Sequence, residues 1–267
     1  LEERDDGWWE VLCRPARKLR PGDVVDATAG GLRFEIGPDV GDGRKLVRPH
    51  SDVPLLDALE HAGEMPLPPY IGERLTDAER YQTVFSARPA SAAAPTAGLH
   101  LTDRLLAELT RRGVATAAVE LVVGLDTFRP LSTERVEDHA IHTERYSVPA
   151  ATWEAVERTR ADGGRVVAVG TTSVRALESR ATRGEPSGRT DLFITPGYRF
   201  AVVDAMVTNF HLPRTSLLAL VQAFVGPRWR DLYATALADG YRFLSFGDAM
   251  LLERAEPRER ADVGVVG

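Results

Sequence analysis

Three small hydroxyls stand where an apolar run gives way to a helix-like segment, in "VAVGTTSVRALES" (167–179). Free helix N–H groups and the helix dipole converge at such strand-to-helix junctions. Thr171, Thr172 and Ser173 could add hydroxyl donors there to a site for a carboxylate or a phosphate. The alternative is that Ser173 only caps the helix, but capping needs one hydroxyl and not three in a row. The pattern therefore favours a ligand-binding role.

A second junction of this kind carries an amide, an imidazole and a guanidinium. In "VTNFHLPRTSLL", Asn209, His211 and Arg214 lie in a proline-containing loop before an apolar helix that Thr215 or Ser216 should cap. A lone histidine is usually structural. Three such groups within six residues at the exit of a strand nevertheless form a polar cluster that could bind a substrate or move a proton.

A third segment, "APTAGLHLTD", combines a proline, a glycine and a histidine directly before a predicted helix. We count Pro95 and Gly98 among the candidate substrate-binding residues. His100 is a candidate acid or base.

The fourth segment, "EDHAIHTE" (137–144), groups two histidines with carboxylates. A His-x-x-His pair with flanking carboxylates could ligate a metal on one face of a helix. The isoleucine between the histidines, and the lack of further Cys or His nearby in the sequence, weaken that interpretation. An acid–base pair of one histidine with one carboxylate of this segment (Glu137, Asp138, His139, His142 and Glu144) is at least as well supported.

The composition is that of an ordinary globular protein, with 267 residues, 43% hydrophobic and 27% charged. No apolar run approaches the roughly 18 residues that span a bilayer, and the charged start "LEERDDGWWE" lacks a signal-peptide pattern. The single cysteine, Cys13, excludes a disulfide framework within one chain and fits a reducing compartment. We therefore expect a cytoplasmic protein.

Positive charge comes almost entirely from arginine, since Lys18 and Lys45 are the only lysines among 33 basic residues. The net charge of −6 argues against a uniformly basic RNA-binding surface, so any RNA contact must come from a local patch. "RRG" at 111–113 and "RWR" at 228–230 are candidates for such a patch. Solvated helix ends are the alternative interpretation of both.

The elements that must position these residues differ between the two parts of the chain. In the first third, short β-rich runs are separated by Pro-Gly, Gly-Gly and Gly-Asp-Gly breakers, which is typical of a small antiparallel β module. The prolines of "MPLPPY" (65–70) break both helix and central strand. We therefore predict one domain over 1–70 and a second, catalytic domain over 71–267.

From residue 71 onward the sequence predicts alternating helices and strands. "TDRLLAELTRRG" has Thr102 as its N-cap and Gly113 as its C′ residue, and "VATAAVELVV" reads as a strand. "FAVVDAMVTNF" is a further strand, and "YRFLSFGDAMLLE" is a strand or strand pair. This alternation predicts an α/β layer.

The order of several blocks resembles one known family. These blocks are "MPLPPYI", "ERYQTVFS", "AAAPTAGLH", "TFRPL", "EDHAIHTE", "VAVGTTSVRALES", "TPGYRF", "VDAMVTNFHLP" and "YRFLSFGDAM". They occur here as in the S-adenosylmethionine:tRNA ribosyltransferase-isomerases, the QueA family of queuosine biosynthesis. The resemblance runs from about residue 60 to 250, and more loosely through the β module.

The resemblance implies a fold and a reaction. The fold is α/β, with an α/β main domain plus a small β-barrel domain. S-adenosylmethionine would be a co-substrate that donates its ribosyl group to the aminomethyl group of a 7-aminomethyl-7-deazaguanine in tRNA. The sugar would rearrange to an epoxycyclopentane, giving epoxyqueuosine and releasing adenine and methionine. No step requires a metal or a redox cofactor, and we expect a monomer.

Such chemistry assigns provisional roles to the residues above. A base must remove a proton beside the sulfonium, an acid must help adenine to leave, and the donor carboxylate needs an anchor. The candidate acids, bases and groups that orient them are His100, His142, His211, Glu137, Glu144, Glu178 and Asp248. The candidate substrate-binding residues are Thr171, Thr172, Ser173, Arg175, Glu178, Asn209, Pro95 and Gly98, of which Arg175 suits a carboxylate or a phosphate.

Some features depart from the family pattern. Where the family reads Leu-His-Val-Gly-x-Gly-Thr-Phe, this chain reads "LVVGLDTF", so Val122 replaces a histidine and Asp126 replaces a glycine. Family members also carry additional N-terminal residues, and we expect this chain to lack them. Two other functions therefore stay open: a paralogue that uses S-adenosylmethionine on a different acceptor, and a non-catalytic module that binds nucleotides or RNA.

Overall fold

The computed structural model describes residues 2–4, 6–13, 15–27, 31–41, 43–68, 70–72, 75–88, 90–91, 93–124 and 143–255. The chain divides into two compact units, Leu1–Pro68 and Pro69–Gly267. The first unit ends within the proline-rich "MPLPPY" stretch.

The N-terminal unit is a five-stranded antiparallel sheet followed by one helix. Its elements are β1 (Glu2–Glu3), β2 (Trp9–Leu12), β3 (Val24–Asp26), β4 (Arg33–Gly41), β5 (Arg44–His50) and α1 (Leu55–Ala62). The strands lie in the order β1-β2-β5-β4-β3. The predicted antiparallel β module is therefore confirmed.

The predicted barrel is not confirmed, because no sheet in the described part of the chain closes on itself. The strands β1 and β3 form the two edges of the five-stranded sheet. One face of this sheet packs around Leu32, Ile36 and Val47, each of which is at most 3% exposed.

The C-terminal unit mixes helices with two three-stranded sheets, as the alternating sequence pattern predicts. Its elements are α2 (Asp103–Arg111), β6 (Glu120–Val122), β7 (Glu144–Ser147), α3 (Ala150–Ala161), β8 (Val167–Val169), α4 (Thr171–Arg183), β9 (Ser187–Thr190), β10 (Ala205–Asn209), α5 (Ser216–Val225), α6 (Trp229–Ala238) and β11 (Ala249–Glu253). One sheet has the order β11-β10-β8 and the other β6-β7-β9.

Local signals at the helix ends are confirmed. The Thr102 side chain accepts a hydrogen bond from the Leu105 N–H at the start of α2, and Thr215 does the same for Leu218 at the start of α5. Gly113 follows the C-cap of α2 with a φ of 77°, which glycine adopts without steric cost. These ends are determined by residues within one helical turn, so the sequence alone indicates them.

The strand predictions were less exact. In "YRFLSFGDAMLLE" only Ala249–Glu253 forms a strand, because the residues before it make a tight turn. In that turn the Gly247 N–H donates to the Leu244 carbonyl, and the Asp248 N–H donates to the Arg242 carbonyl. A Cβ atom on Gly247 would lie 2.3 Å from that Arg242 oxygen, so only glycine fits this position.

The sheet β11-β10-β8 positions the strand exits that matter for function. The strands β8 and β10 are parallel, with Val169 opposite Val207, whereas β10 and β11 are antiparallel. Met206 of β10, Val174 of α4 and Phe224 of α5 are fully buried in one core cluster. Because parallel strands end at the same edge of a sheet, the residues that follow β8 lie beside the end of β10.

Within the described ranges, none of the helices combines the length and the apolar character that crossing a membrane requires.

Candidate active site

The two parallel strands end side by side, and a backbone hydrogen bond joins their exits. The Gly170 N–H, directly after β8, donates to the Val207 carbonyl of β10 over 2.8 Å. Asn209 is the last residue of β10, two positions beyond Val207. The start of α4 and the end of β10 therefore meet at one edge of the sheet, where α/β proteins commonly bind ligands.

Helix α4 starts abruptly after a glycine. Gly170 has a φ of 90° and serves as the N-cap without any side-chain hydrogen bond to the helix. The positive φ favours glycine, and a Cβ atom there would also be in tight contact with the Thr172 hydroxyl oxygen, at 3.3 Å. The first-turn N–H groups, on Thr171, Thr172 and Ser173, have no acceptor within the helix itself, which is a general property of helix N-termini.

The three hydroxyls of this turn have different surroundings. The Ser173 hydroxyl donates to the Val169 carbonyl over 2.8 Å, four residues back. The alternative prediction that Ser173 caps α4 is therefore wrong, because the N-cap is Gly170. Thr171 is buried in the turn and Thr172 is half-buried beside Gly170. Binding of an anion by these residues stays a prediction.

A short 3-10 turn, Thr96–His100, lies against the start of α4. The Ala97 Cβ would be 3.9 Å from a Cβ on Gly170, and Gly98 is covered by the Phe85 ring. A Cβ on Gly98 would lie 2.6 Å from the end of that ring, so a larger residue there would have to displace the ring. Pro95 begins the turn, and its carbonyl accepts a hydrogen bond from the Gly98 N–H over 2.7 Å. Pro95 and Gly98 thus shape the backbone that carries His100.

The end of β10 contacts this turn through side chains. Asn209 is 3% exposed, and its Oδ1 atom accepts a hydrogen bond from the Thr96 hydroxyl over 3.0 Å. Its Nδ2 atom lies 3.5 Å from Nε2 of His100. The imidazole of His100 is exposed, whereas the amide that it faces is buried. The structure thus brings together two predicted site residues that are 109 positions apart.

His211 is buried in the protein interior. Its Nε2 atom lies 2.8 Å from the Thr208 hydroxyl, and its backbone N–H donates to the Tyr233 hydroxyl over 3.0 Å. Burial lowers the pKa of His211 from 6.5 to about 4, because a charged imidazolium would be poorly solvated there. His211 is therefore neutral at pH 7.

Arg175 of α4 is held by protein groups. It is 8% exposed and forms a buried ion pair with Glu144, the first residue of β7. Its Nε atom also donates to the Leu192 carbonyl over 3.2 Å. This pair links α4 to the sheet β6-β7-β9. If Arg175 binds a carboxylate or a phosphate as predicted, it must do so while its guanidinium also contacts the Glu144 carboxylate.

Glu178 is fully buried and accepts hydrogen bonds through both carboxylate oxygens. Oε1 accepts from the N–H groups of Val202 and Val203, at 2.9 Å and 3.0 Å. Oε2 accepts from the Ala201 N–H at 2.8 Å and from the Tyr198 hydroxyl at 3.1 Å. Burial and the adjacent carboxylate raise the pKa of Tyr198. Glu178 therefore stabilises the loop that leads into β10, because it accepts hydrogen bonds from the backbone of that loop.

Asp248 belongs to the tight turn before β11. Its Oδ2 atom accepts a hydrogen bond from the Arg242 N–H over 2.7 Å. The turn also contacts the strand exit, since the Leu244 N–H donates to the Phe210 carbonyl over 3.0 Å. Buried Ser245 of the same turn lies 2.5 Å from the Tyr70 hydroxyl. The turn therefore places part of the "LSFGD" block directly beside the residue that follows Asn209.

Comparison with known proteins identifies the family. Residues 1–252 match the family described as "Queuosine biosynthesis protein". The chain is 54% identical over 248 residues to the S-adenosylmethionine:tRNA ribosyltransferase-isomerase of Rubrobacter xylanophilus, covering 92% of this chain and 72% of that protein. This chain belongs to the queuosine biosynthesis protein family.

Two other members extend the comparison. The S-adenosylmethionine:tRNA ribosyltransferase-isomerase of Thiobacillus denitrificans is 50% identical over 264 residues, covering 96% of this chain and 75% of that protein. The crystal structure of the S-adenosylmethionine tRNA ribosyltransferase of Thermotoga maritima is similar with a TM-score of 0.51 and 34% identity. That match covers 94% of this chain and 72% of the other chain.

Some predicted residues of this family member lie outside the described residues. They are residues 137–142 of "EDHAIHTE", which include Glu137 and His142, together with Asp126. Within the described ranges, His, Cys, Asp and Glu side chains form no group of three that could hold a metal ion. Val122, by contrast, is described as a half-buried residue of β6 opposite Arg145.

Two residues that contact predicted site residues were not themselves predicted from the sequence. Thr96 holds the Asn209 amide, and Thr208 contacts the His211 ring. Thr96 stands between Pro95 and Gly98 in a family block, so its position was a usable signal. Nothing local indicates Thr208, because a threonine inside a strand is ordinary.

Proposed function

We propose that this queuosine biosynthesis family member transfers and isomerises the ribosyl group of S-adenosylmethionine onto 7-aminomethyl-7-deazaguanine in tRNA, releasing adenine and methionine. The observation that carries the proposal is a site at the shared edge of β8 and β10, in a chain that is half identical to named ribosyltransferase-isomerases. Acting on tRNA, the protein would work in the cytoplasm, and we propose that it does so as a monomer.

The start of α4 suits the carboxylate of the donor. Three first-turn N–H groups and the helix dipole favour a negative charge at this end, typically by about 0.3–1 kcal/mol. The Thr172 hydroxyl lies beside Gly170 and could donate an additional hydrogen bond. The Ser173 hydroxyl is occupied by the Val169 carbonyl, so it contributes less than the sequence suggested.

The histidines differ in what they can do for the reaction. His100 is exposed at the strand exits, next to the proposed donor site. His211 is buried and neutral, so its contribution is to support the loop after β10. His142 stays a further predicted candidate for the removal of the proton beside the sulfonium.

The products test this proposal. Protein incubated with S-adenosylmethionine and tRNA carrying the deazaguanine should release adenine and methionine in equal amounts, which chromatography quantifies. The same tRNA carrying guanine at that position is the matched control and should release neither. Formation of S-adenosylhomocysteine would instead show methyl transfer, and adenine release independent of the tRNA would indicate a different acceptor.

A further inference from the structure

The amide of Asn209 is an unusual group for this chain, because Asn209 is its only asparagine. It is buried at the end of β10 and has hydrogen-bonding partners on both sides. A buried amide costs free energy unless its polar atoms are hydrogen-bonded, so the partners of this side chain matter.

The partners determine how the amide is oriented. The Thr96 hydroxyl donates to Oδ1 over 3.0 Å, which directs Nδ2 towards His100. An amide nitrogen can only donate hydrogen bonds, so the ring nitrogen that faces it must offer a lone pair. That nitrogen is Nε2, at 3.5 Å, a long contact of the kind that tightens when a substrate binds.

We propose that Asn209 is a positioning residue that holds His100 with its proton on Nδ1, so that His100 presents a hydrogen-bond donor to the reacting substrate. In water the neutral histidine side chain carries its proton mainly on Nε2, so the protein would be imposing the less common tautomer. A histidine whose free nitrogen is a donor assists a group that gains electrons, and it does not remove protons.

The proposal rests on the proposed function for the identity of that group. Adenine leaves in that reaction, and its ring nitrogens gain electron density as the bond to the ribose breaks. A donor held at the exits of β8 and β10 would stabilise that density. Asn209 was expected to bind the substrate itself, whereas in this proposal its amide acts on the substrate through His100.

The tautomer can be measured without any turnover. In protein with ¹⁵N-labelled histidine, two-dimensional spectra at about pH 8, where imidazoles are mostly neutral, distinguish protonated from bare ring nitrogens. The His100→Gln variant identifies the His100 signals. We expect the proton on Nδ1 in the natural chain and mainly on Nε2 in Asn209→Leu. A proton on Nε2 in the natural chain overturns the proposal.

Kinetics separate positioning from substrate binding. Asn209→Leu should lower kcat by roughly 10- to 100-fold, as for other groups that orient a site histidine, with KM for S-adenosylmethionine nearly unchanged. Asn209→Asp offers only acceptors and should move the His100 proton to Nε2. An increase in KM with kcat preserved would mean that Asn209 contacts the substrate directly, and the proposal would fail.

Two threonine variants complete the test. Thr96→Val removes the hydroxyl that orients the amide and should give a mixture of the two His100 tautomers. Thr110→Val is the matched control, because the Thr110 hydroxyl donates to the Leu106 carbonyl on the exposed helix α2, and the substitution should change neither spectrum nor rate. If Thr96→Val also leaves the spectrum unchanged, Asn209 is not held as proposed. A natural chain with the expected tautomer but no adenine release would refute the proposed function alone.

Discussion

Acidification should destabilise the C-terminal unit through His211. Burial lowers the pKa of this imidazole from 6.5 to about 4. Between these two pH values the unfolded chain binds a proton that the folded protein does not, so the free energy of unfolding falls as the pH falls. The difference of about 2.5 pKa units corresponds to roughly 3 kcal/mol, with the full stability present above pH 6.5 and the loss complete near pH 4.

Denaturant unfolding at pH 7 and at pH 4 measures this loss. Tryptophan fluorescence reports on this region together with the other tryptophans, because the Trp229 ring lies 5.8 Å from that of Tyr233, whose hydroxyl accepts from the His211 N–H. Carboxylates elsewhere also titrate in this range, so the comparison is between the natural chain and His211→Gln. The variant should lose about 3 kcal/mol less on acidification, because glutamine does not titrate.

A matched control uses an exposed histidine of the same unit. That residue is His100, and the His100→Gln variant makes the same exchange of histidine for glutamine on the surface, so it shows what the exchange by itself does to the measurement. The reasoning is refuted if the natural chain and His211→Gln lose stability in parallel between pH 7 and pH 4. That result would mean that water or a compensating charge reaches the buried ring.

Two further outcomes follow from the helix α4. Glu178→Gln keeps the shape but loses a buried charge that accepts four hydrogen bonds, so the free energy of unfolding should fall by about 3 kcal/mol. Exposed Glu185→Gln is its control, and equal Tm values would contradict the assignment. Thr172→Ala should weaken S-adenosylmethionine binding in calorimetry by about 1.5–3 kcal/mol, because it removes one hydrogen bond to a charged group. Thr182→Ala, at the other end of the helix, should leave that affinity unchanged, and an unaltered affinity in both variants would exclude a donor role for Thr172.

The sequence by itself determined the features that depend on neighbouring residues. The caps Thr102 and Thr215 each bond an N–H three residues further on, so their types and positions sufficed. The family blocks likewise identified the segments that meet at the site, including "APTAGLH" and "VTNFH". The antiparallel module was also predictable, because glycine-rich breakers between short β-rich runs define hairpins locally.

Tertiary structure alone decided what each polar residue contacts. Glu178 and Asn209 were both expected to bind a substrate. Glu178 accepts hydrogen bonds from backbone groups 23 to 25 residues later in the chain. Asn209 bonds to Thr96, which lies 113 positions earlier. A side chain's spacing in the sequence does not reveal such partners.

The physical reason is that burial changes the function of a polar group without changing its identity. A carboxylate or imidazole removed from water must find internal partners or become neutral, and those partners come from distant segments that packing brings together. His211 and His100 read alike as candidates in the sequence. The fold buries the first among Thr208 and Tyr233 and leaves the second exposed at the ends of two parallel strands.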